Sequence, residues 1–313
     1  MKKYALGQQP FVDLSKTEYD AIIAAKRHVI EYLSLENLFD LLMGNYEEFE
    51  REILSITLHD ATYMGALNNW NESIETIQLI ARRFANFLTT AHGYCDQVPH
   101  TISSLFGDKS TELQTVRGFF REEHSKVLGY RACTELRRYM QHRGSAVHGF
   151  SGKSSWVDRP DGRRVRVYAF IPQLSIRKLQ EDIKFKPSVM AELEAGATTT
   201  RTGDSVRDLR PLIRDYVSAL GRVHLKTRDL LARDIGVHDA TITAAVDRYC
   251  ALPGVDNAIG LSVVELNERG LIEDRDPVFI MREPIDRRRS LVSRNQLPTH
   301  FDTQVITNEI EIA

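Results

Sequence analysis

Arginines and histidines are concentrated in one short stretch near the middle of the chain. Arg137 and Arg138 are followed by His142, and then by Arg143 and His148. A guanidinium group keeps its charge and grips a phosphate with two parallel hydrogen bonds, whereas a histidine titrates near neutral pH. RNA can be cleaved without metal when a base takes the 2′-hydroxyl proton, a cation stabilises the phosphorane and an acid protonates the leaving 5′-oxygen. The stretch therefore contains the groups that such a cleavage requires.

Two arginine–histidine pairs in this stretch have the same spacing. His142 follows Arg137 by five residues, and His148 follows Arg143 by five residues. We expect the first pair to be catalytic, with His142 transferring protons and Arg137 stabilising the phosphorane. Arg143 and His148 are the alternative catalytic pair, and Gly144 between them is typical of a helix end.

A single histidine serves poorly as both base and acid. A twofold dimer that places two such helices face to face would supply two histidines and several arginines. The local charge also favours a polyanion, because nine arginines and lysines stand against three acidic residues between Tyr130 and Arg166, in a chain of net charge −2. Such an excess is the electrostatic footprint of a nucleic-acid site. We therefore expect RNA as the substrate and a homodimer as the assembly.

The composition of the 313 residues limits the kinds of protein to which this chain can belong. No apolar run approaches the ~20 residues of a membrane span, and no apolar signal core follows the basic N-terminus. We therefore expect a cytoplasmic protein with no membrane partner. The three cysteines are widely spaced and odd in number, which favours reduced thiols. The histidines have no spacing with cysteines or carboxylates that indicates a metal site, and we expect neither a metal nor a cofactor.

The elements that must position the pair are predicted to be mainly helical. Apolar residues recur at helical spacing from about Ser15 to Tyr130. Breaks are expected at Gly44 and over the segment that contains Gly93, Pro99 and Gly107. A further helix, from near Tyr130 to Gly144, would carry the two motif residues.

After this helix the sequence pattern changes. Residues 149–162 are rich in Gly, Ser, Asp and Pro, which predicts a loop, and residues 164–171 alternate as a strand does. Two short helices are expected over 175–182 and 187–194, and a long amphipathic helix over 204–235. Residues 278–282 and 290–292 are predicted to form a hairpin.

The stretch from Arg137 to His142 resembles the signature of the HEPN superfamily, an arginine and a polar residue followed, after a short spacer, by a closing histidine. Many bacterial HEPN-like proteins have Arg-Asn-Tyr-x-x-His, so Tyr139 and Gln141 favour the first pair, and Arg138 stands where asparagine is usual. The segment from Arg82 to Leu88, with Tyr94 and Asp96, resembles the helix before the motif. Tyr130 and Arg131 resemble the entry to the motif helix.

The resemblance covers residues 65–150. It implies an antiparallel helical bundle that dimerises through the motif helices and cleaves RNA without metal to leave a cyclic phosphate. We accordingly expect a HEPN-like bundle over residues 1–150 and a smaller mixed α/β accessory region over residues 151–313. Family members often act as toxins or in defence against phage, which implies a regulatory partner or an antitoxin. The expected residues for RNA binding or support of the site are Arg138, Tyr139, Arg131, Asn86 and Asp96.

Other interpretations remain open. The chain could be a non-catalytic HEPN-like module that binds a nucleic acid, a nucleotide or a protein partner. Asn86 and Asp96 could be helix caps, and Arg163, Arg164 and Arg166 could protect a strand edge instead of contacting RNA.

A DNA-binding regulator is a further interpretation. Residues 231–242 have helix-turn-helix spacing. The recognition helix would be residues 239–249, which carry Asp239 and Asp247 and a single cation, Arg248, and this charge suits a DNA groove poorly. Residues 149–154 fail the spacing of a phosphate-binding loop.

Overall fold

The computed structural model describes residues 1–4, 9–63, 70–265, 277–296 and 300–301. Over these ranges helices form most of the chain and strands a smaller part, which confirms the prediction of a mainly helical protein. The helices are α1 (Lys16–Tyr63), α2 (Trp70–Phe106), α3 (Thr111–Lys126), α4 (Leu128–His142), α5 (Ile176–Gln180), α6 (Pro187–Ala195), α7 (Leu209–Cys250) and α8 (Glu283–Arg294). None of these helices has the length and apolarity that crossing a membrane requires.

The strands of the described residues form two antiparallel sheets. One has the order β2-β3-β5-β4 and the other the order β1-β6-β7. The bounds are β1 (Lys2–Lys3), β2 (Gly149–Asp158), β3 (Arg164–Ser175), β4 (Thr198–Thr199), β5 (Ser205–Asp208), β6 (Leu261–Val263) and β7 (Val278–Phe279). β2 pairs with β3 from Gly149 opposite Gln173 to Asp158 opposite Arg164, whereas β5 pairs only with residues 173–175 of β3. The outer part of β2 and β3 is therefore a two-stranded ribbon.

The chain divides into two compact units. Unit 1 contains residues 1–37, 100–112 and 226–296, and unit 2 contains the rest of the described chain. The helices α1, α2 and α7 each contribute residues to both units. This division interleaves segments from the whole chain, whereas the sequence interpretation placed a single boundary at residue 150.

Each unit has its own apolar core. In unit 1, Ile22 and Val29 of α1 pack in one cluster with Ile242 and Tyr249 of α7 and with the buried strand β6. In unit 2, aromatic side chains of α1, α2 and α7 are buried together, and the ring pairs include Phe49 with Phe84 and Phe87 with Tyr216. Burial of such rings stabilises each unit by removing apolar area from water.

Two expected helix breaks are wrong. Gly44 lies inside α1, and both Gly93 and Pro99 lie inside α2. A mid-helix glycine costs about 1 kcal/mol and a proline about 3 kcal/mol. The long helices nevertheless continue because buried residues flank these positions, such as Leu42 and Tyr46 around Gly44. Gly107 does follow the end of α2, with a positive φ of 95°.

Three further expectations for the second half are wrong, and others are confirmed. Residues 149–158 form β2 and not a loop, because backbone pairing with β3 does not depend on their small side chains. Residues 283–294 form α8, and β7 pairs with β6 instead of with residues 290–292. The expected hairpin is therefore absent from the described residues. The long helix begins at Leu209 and continues to Cys250 without a turn, which removes the helix-turn-helix geometry. The strand β3 and the short helices α5 and α6 lie where they were predicted.

Candidate functional site

The motif helix α4 is positioned by its apolar face. Tyr130, Cys133, Leu136 and Tyr139 recur every three residues and are all buried. At the helix start, Gly129 lies so close to α7 that an added Cβ would come within 2.6 Å of the Asp215 Cβ. Because this face of α4 packs against the rest of unit 2, the motif arginines lie on the other sides of the helix.

Arg137 and His142 lie toward solvent at the carboxyl end of α4. The Arg137 side chain is half-buried, and its Nη1 donates a hydrogen bond of 3.3 Å to Gln141 Oε1, one turn further on. His142 is exposed and is the last residue of the helix. Among the described residues neither side chain forms an ion pair with a carboxylate. Both groups are therefore accessible to an external phosphate.

Arg138 and Arg143 lie against a buried carboxylate. The Asp182 side chain is 3.2 Å from Arg138 Nη2 and 3.6 Å from Arg143 Nε. Arg138 Nε also donates to Glu135 Oε2 at 3.1 Å. Burial would raise the pKa of Asp182, but the backbone amide of Lys184 and the two guanidinium groups outweigh it and lower that pKa. Asp182 and Glu135 thus offset the charges of Arg138 and Arg143, two of the three arginines at the motif.

Arg131 and the two α2 residues lie away from the motif pair. Arg131 donates to Glu192 Oε2 of α6 and to the Ser125 carbonyl, each at 2.6 Å. Asn86 and Asp96 are exposed, and Asp96 pairs with His92 of its own helix at 3.0 Å. In the described part of the chain, neither has a hydrogen bond or an ion pair to α4. The structure therefore brings together Arg137, His142, Arg138 and Arg143, but not Asn86 or Asp96.

The alternative histidine, His148, connects α4 and β3 through its side chain. Its Nδ1 accepts a hydrogen bond of 3.0 Å from the Ser175 backbone amide, and its Nε2 lies 3.4 Å from the Tyr139 hydroxyl. Burial, assisted by the Lys178 cation, lowers the pKa of His148 to about 4. Both ring nitrogens are engaged, and Tyr139 supports this contact with a largely buried ring. The ring is neutral at physiological pH and is less available to a substrate than His142.

A basic ribbon extends from the same unit. We use this name for the outer parts of β2 and β3, residues 153–168, with the turn between them. The Trp156 side chain is 58% exposed, and the Arg164 guanidinium lies 5.8 Å from its ring centroid. The Arg166 guanidinium lies 5.1 Å from the ring centroid of Tyr168. Interleaved cations and aromatic rings are the surface that single-stranded nucleic acids stack on.

Sequence reasoning missed part of this surface and one other cluster. The sequence pattern predicts a loop at Trp156, and the place of this residue opposite Arg166 follows only from the pairing of β2 with β3. In unit 1, the side chains of His28, Asp234 and His238 converge closely enough to hold a metal ion. The four-residue spacing of Asp234 and His238 was a signal for one half of this cluster, since it places both on one helix face.

Comparison of the chain with known proteins finds no matching family model, no similar curated protein and no similar solved structure.

Proposed function

We propose that the protein is a metal-independent endoribonuclease with a HEPN-like helical bundle, in which Arg137 and His142 are the catalytic residues. The observation that carries this proposal is the accessibility of the pair. Arg137 and His142 lie toward solvent at one helix end, whereas Arg138 and Arg143 are paired with Asp182. The resemblance of this stretch to the HEPN signature supports the same residues.

The chemistry is a transesterification within the RNA. The 2′-oxygen of one nucleotide attacks the adjacent phosphorus, its proton passes to a histidine, and the bond to the 5′-oxygen breaks. A protonated histidine supplies the proton that the leaving oxygen takes up, so the products are a 2′,3′-cyclic phosphate and a 5′-hydroxyl. Arg137 stabilises the doubly charged phosphorane. In a homodimer, the second histidine is His142 of the other copy.

The basic ribbon supports RNA as the substrate. Its cations neutralise backbone phosphates, and its exposed Trp156 offers a face on which a base can stack. The ribbon joins α4 through a short connection after His142, and both lie in unit 2. A role as a toxin or as an effector against phage, controlled by a regulatory partner or an antitoxin, fits this activity.

The deciding experiment is cleavage of labelled single-stranded RNA and tRNA in EDTA. We expect the wild-type chain to release fragments with a cyclic phosphate, and His142→Ala and Arg137→Ala to lower the rate by about 100-fold or more. His100→Ala removes another exposed histidine, on α2, and should leave the rate unchanged. Circular dichroism should be the same for all variants, and His142→Ala and His100→Ala should bind RNA as tightly as the wild-type chain.

Two outcomes would overturn the assignment. Cleavage that persists in His142→Ala would exclude His142, and loss in His148→Gln with retained folding would transfer the role to the second pair. RNA binding by the wild-type chain without any cleavage would replace the ribonuclease by a non-catalytic binding module. The basic ribbon favours that second candidate function, because its exposed cations and aromatic rings include none of the motif residues.

A further inference from the structure

Two histidines and an aspartate converge in unit 1, outside the candidate ribonuclease site. Asp234 and His238 lie one turn apart on α7, and His28 lies on α1. The Asp234 Oδ2 atom is 3.1 Å from His28 Nδ1 and 3.4 Å from His238 Nε2. The two imidazole centroids are 4.0 Å apart, with the ring planes inclined at 37°. Both rings therefore present a nitrogen to the same carboxylate oxygen.

The two nitrogen–oxygen separations match those between neighbouring ligand atoms of a tetrahedral metal site. Bonds of about 2.0–2.1 Å to imidazole nitrogen or carboxylate oxygen place neighbouring ligand atoms about 3.3–3.4 Å apart. The three ligand atoms of the cluster lie within 4.8 Å of one another. A small inward adjustment of the side chains would bring all three within bonding distance of one ion.

The surroundings also fit an ion. The two histidine side chains are largely buried, whereas Asp234 is about one-third exposed, so a path to solvent exists at the carboxylate. The Tyr32 hydroxyl donates a hydrogen bond to Asp234 Oδ2, and Phe106 packs edge-on against His28 at a centroid distance of 6.0 Å. A hydrogen bond from outside the ligand set orients a metal-binding carboxylate, and apolar packing limits the motion of an imidazole.

We propose that His28, Asp234 and His238 bind a divalent transition-metal ion, with zinc as the ion that this ligand set fits best. Two imidazoles and one carboxylate form a three-ligand set, and a water molecule completes the fourth position. The ion would join α1 to α7 within unit 1. This inference is independent of the proposed ribonuclease, whose residues lie in unit 2 and whose chemistry needs no metal.

The test uses the full chain after treatment with EDTA and desalting. Zn2+ is titrated by calorimetry, and Co2+ by its visible absorption, which reports tetrahedral coordination. We expect one tight equivalent and a higher melting temperature with Zn2+. Asp234→Asn, which keeps the shape of the side chain, and His238→Ala should each weaken binding by about 100-fold or more, and Tyr32→Phe by about 10-fold.

His92→Ala is the matched control. His92 pairs with Asp96 four residues later on an exposed helix face, at 3.0 Å, and no third ligand lies there among the described residues. The His92→Ala variant should therefore still bind one equivalent of Zn2+ tightly. The proposal is overturned if the wild-type chain binds no Zn2+, or if Asp234→Asn and His238→Ala bind as tightly as the wild type. RNA cleavage by the metal-free chain is measured in parallel, so that failure of one proposal is separate from failure of the other.

Discussion

The Nδ1 atom of His148 accepts a hydrogen bond of 3.0 Å from the backbone amide of Ser175. A nitrogen that accepts carries no proton, so the neutral ring has its proton on Nε2, which faces the Tyr139 hydroxyl. One imidazole thus connects the motif helix α4 to the end of β3. Protonation of Nδ1 would place two donors against each other and break this connection.

The folded protein should lose stability as the pH falls below neutral. Burial lowers the pKa of His148 to about 4, whereas an unfolded chain titrates near 6.5. Between these values the unfolded chain binds the proton first, so the free energy of unfolding decreases as the pH drops, on the order of 1–3 kcal/mol. Urea denaturation at neutral pH and at about pH 5 measures this change. His148→Gln should reduce the pH dependence and keep RNA cleavage; an unchanged pH dependence would contradict the role of His148.

Two glycine substitutions should have opposite effects. Gly129→Ala places a Cβ against the Leu212 carbonyl and the Asp215 side chain of α7, and backbone cannot move away cheaply. We expect the free energy of unfolding to fall by about 1–3 kcal/mol. Gly118 in α3 has no atom within 4 Å of an added Cβ, so Gly118→Ala should raise stability by about 0.5–1 kcal/mol. Chemical denaturation measures the free energy of unfolding of both variants. If the two substitutions change it equally, α4 does not pack closely on α7 at Gly129.

Removing cations from the basic ribbon should weaken RNA binding without sequence preference. Arg164 and Arg166 lie against aromatic rings on the ribbon. Arg164 also pairs with the exposed Asp158 at 3.5 Å, and Arg166 donates to Ser154 Oγ at 3.0 Å. Because these are surface contacts, a phosphate backbone can compete for both guanidinium groups. The double change to alanine should reduce the slope of log affinity against log salt by about 1.4, since each phosphate contact contributes about 0.7 for single strands. Arg117→Ala, an exposed arginine on α3, is the control. An unchanged salt dependence would indicate that these arginines protect the strand edge.

Asp182 should limit the positive charge near the motif. Asp182→Asn removes the carboxylate that neutralises Arg138 and Arg143, so RNA affinity at low salt should rise about fivefold. The same change leaves buried polar groups less well paired and should lower stability by about 1–3 kcal/mol. Asp96→Asn, an exposed aspartate on α2, should change neither quantity by much. Weaker RNA binding by Asp182→Asn would show that the ion pairs position the arginines for binding.

The sequence predicts the parts of this fold that depend on local pattern. The motif helix, the strand β3 and the short helices follow from periodicity within a few residues. The predicted breaks at Gly44 and Pro99 are wrong. Glycine and proline lower helix stability locally, but the burial of neighbouring side chains in the long helices contributes more than this local cost. Residues 149–158 lack strand alternation, and only their pairing with β3 makes them a strand.

The candidate site was predictable in its residue types but not in its electrostatics. Arg137 and His142 are marked by spacing within one helix. Asp182, which neutralises Arg138 and Arg143, lies about forty residues later, and nothing local connects it to them. The same holds for His28 and Asp234, which are separated by 206 positions in the chain. Contacts over such distances are set by tertiary packing, which a motif does not encode.

The basic ribbon has one further consequence. Because β5 pairs only with residues 173–175 of β3, the outer backbone of β2 and β3 has no third strand beside it within the described ranges. A two-stranded ribbon is marginally stable in water, so its amide protons open to solvent far more often than those of the helices. Bound RNA would slow that opening. The rate of deuterium uptake by residues 153–168 therefore reports whether RNA is bound to the ribbon. It is best measured in the His142→Ala variant, which we expect to bind RNA without cleaving it.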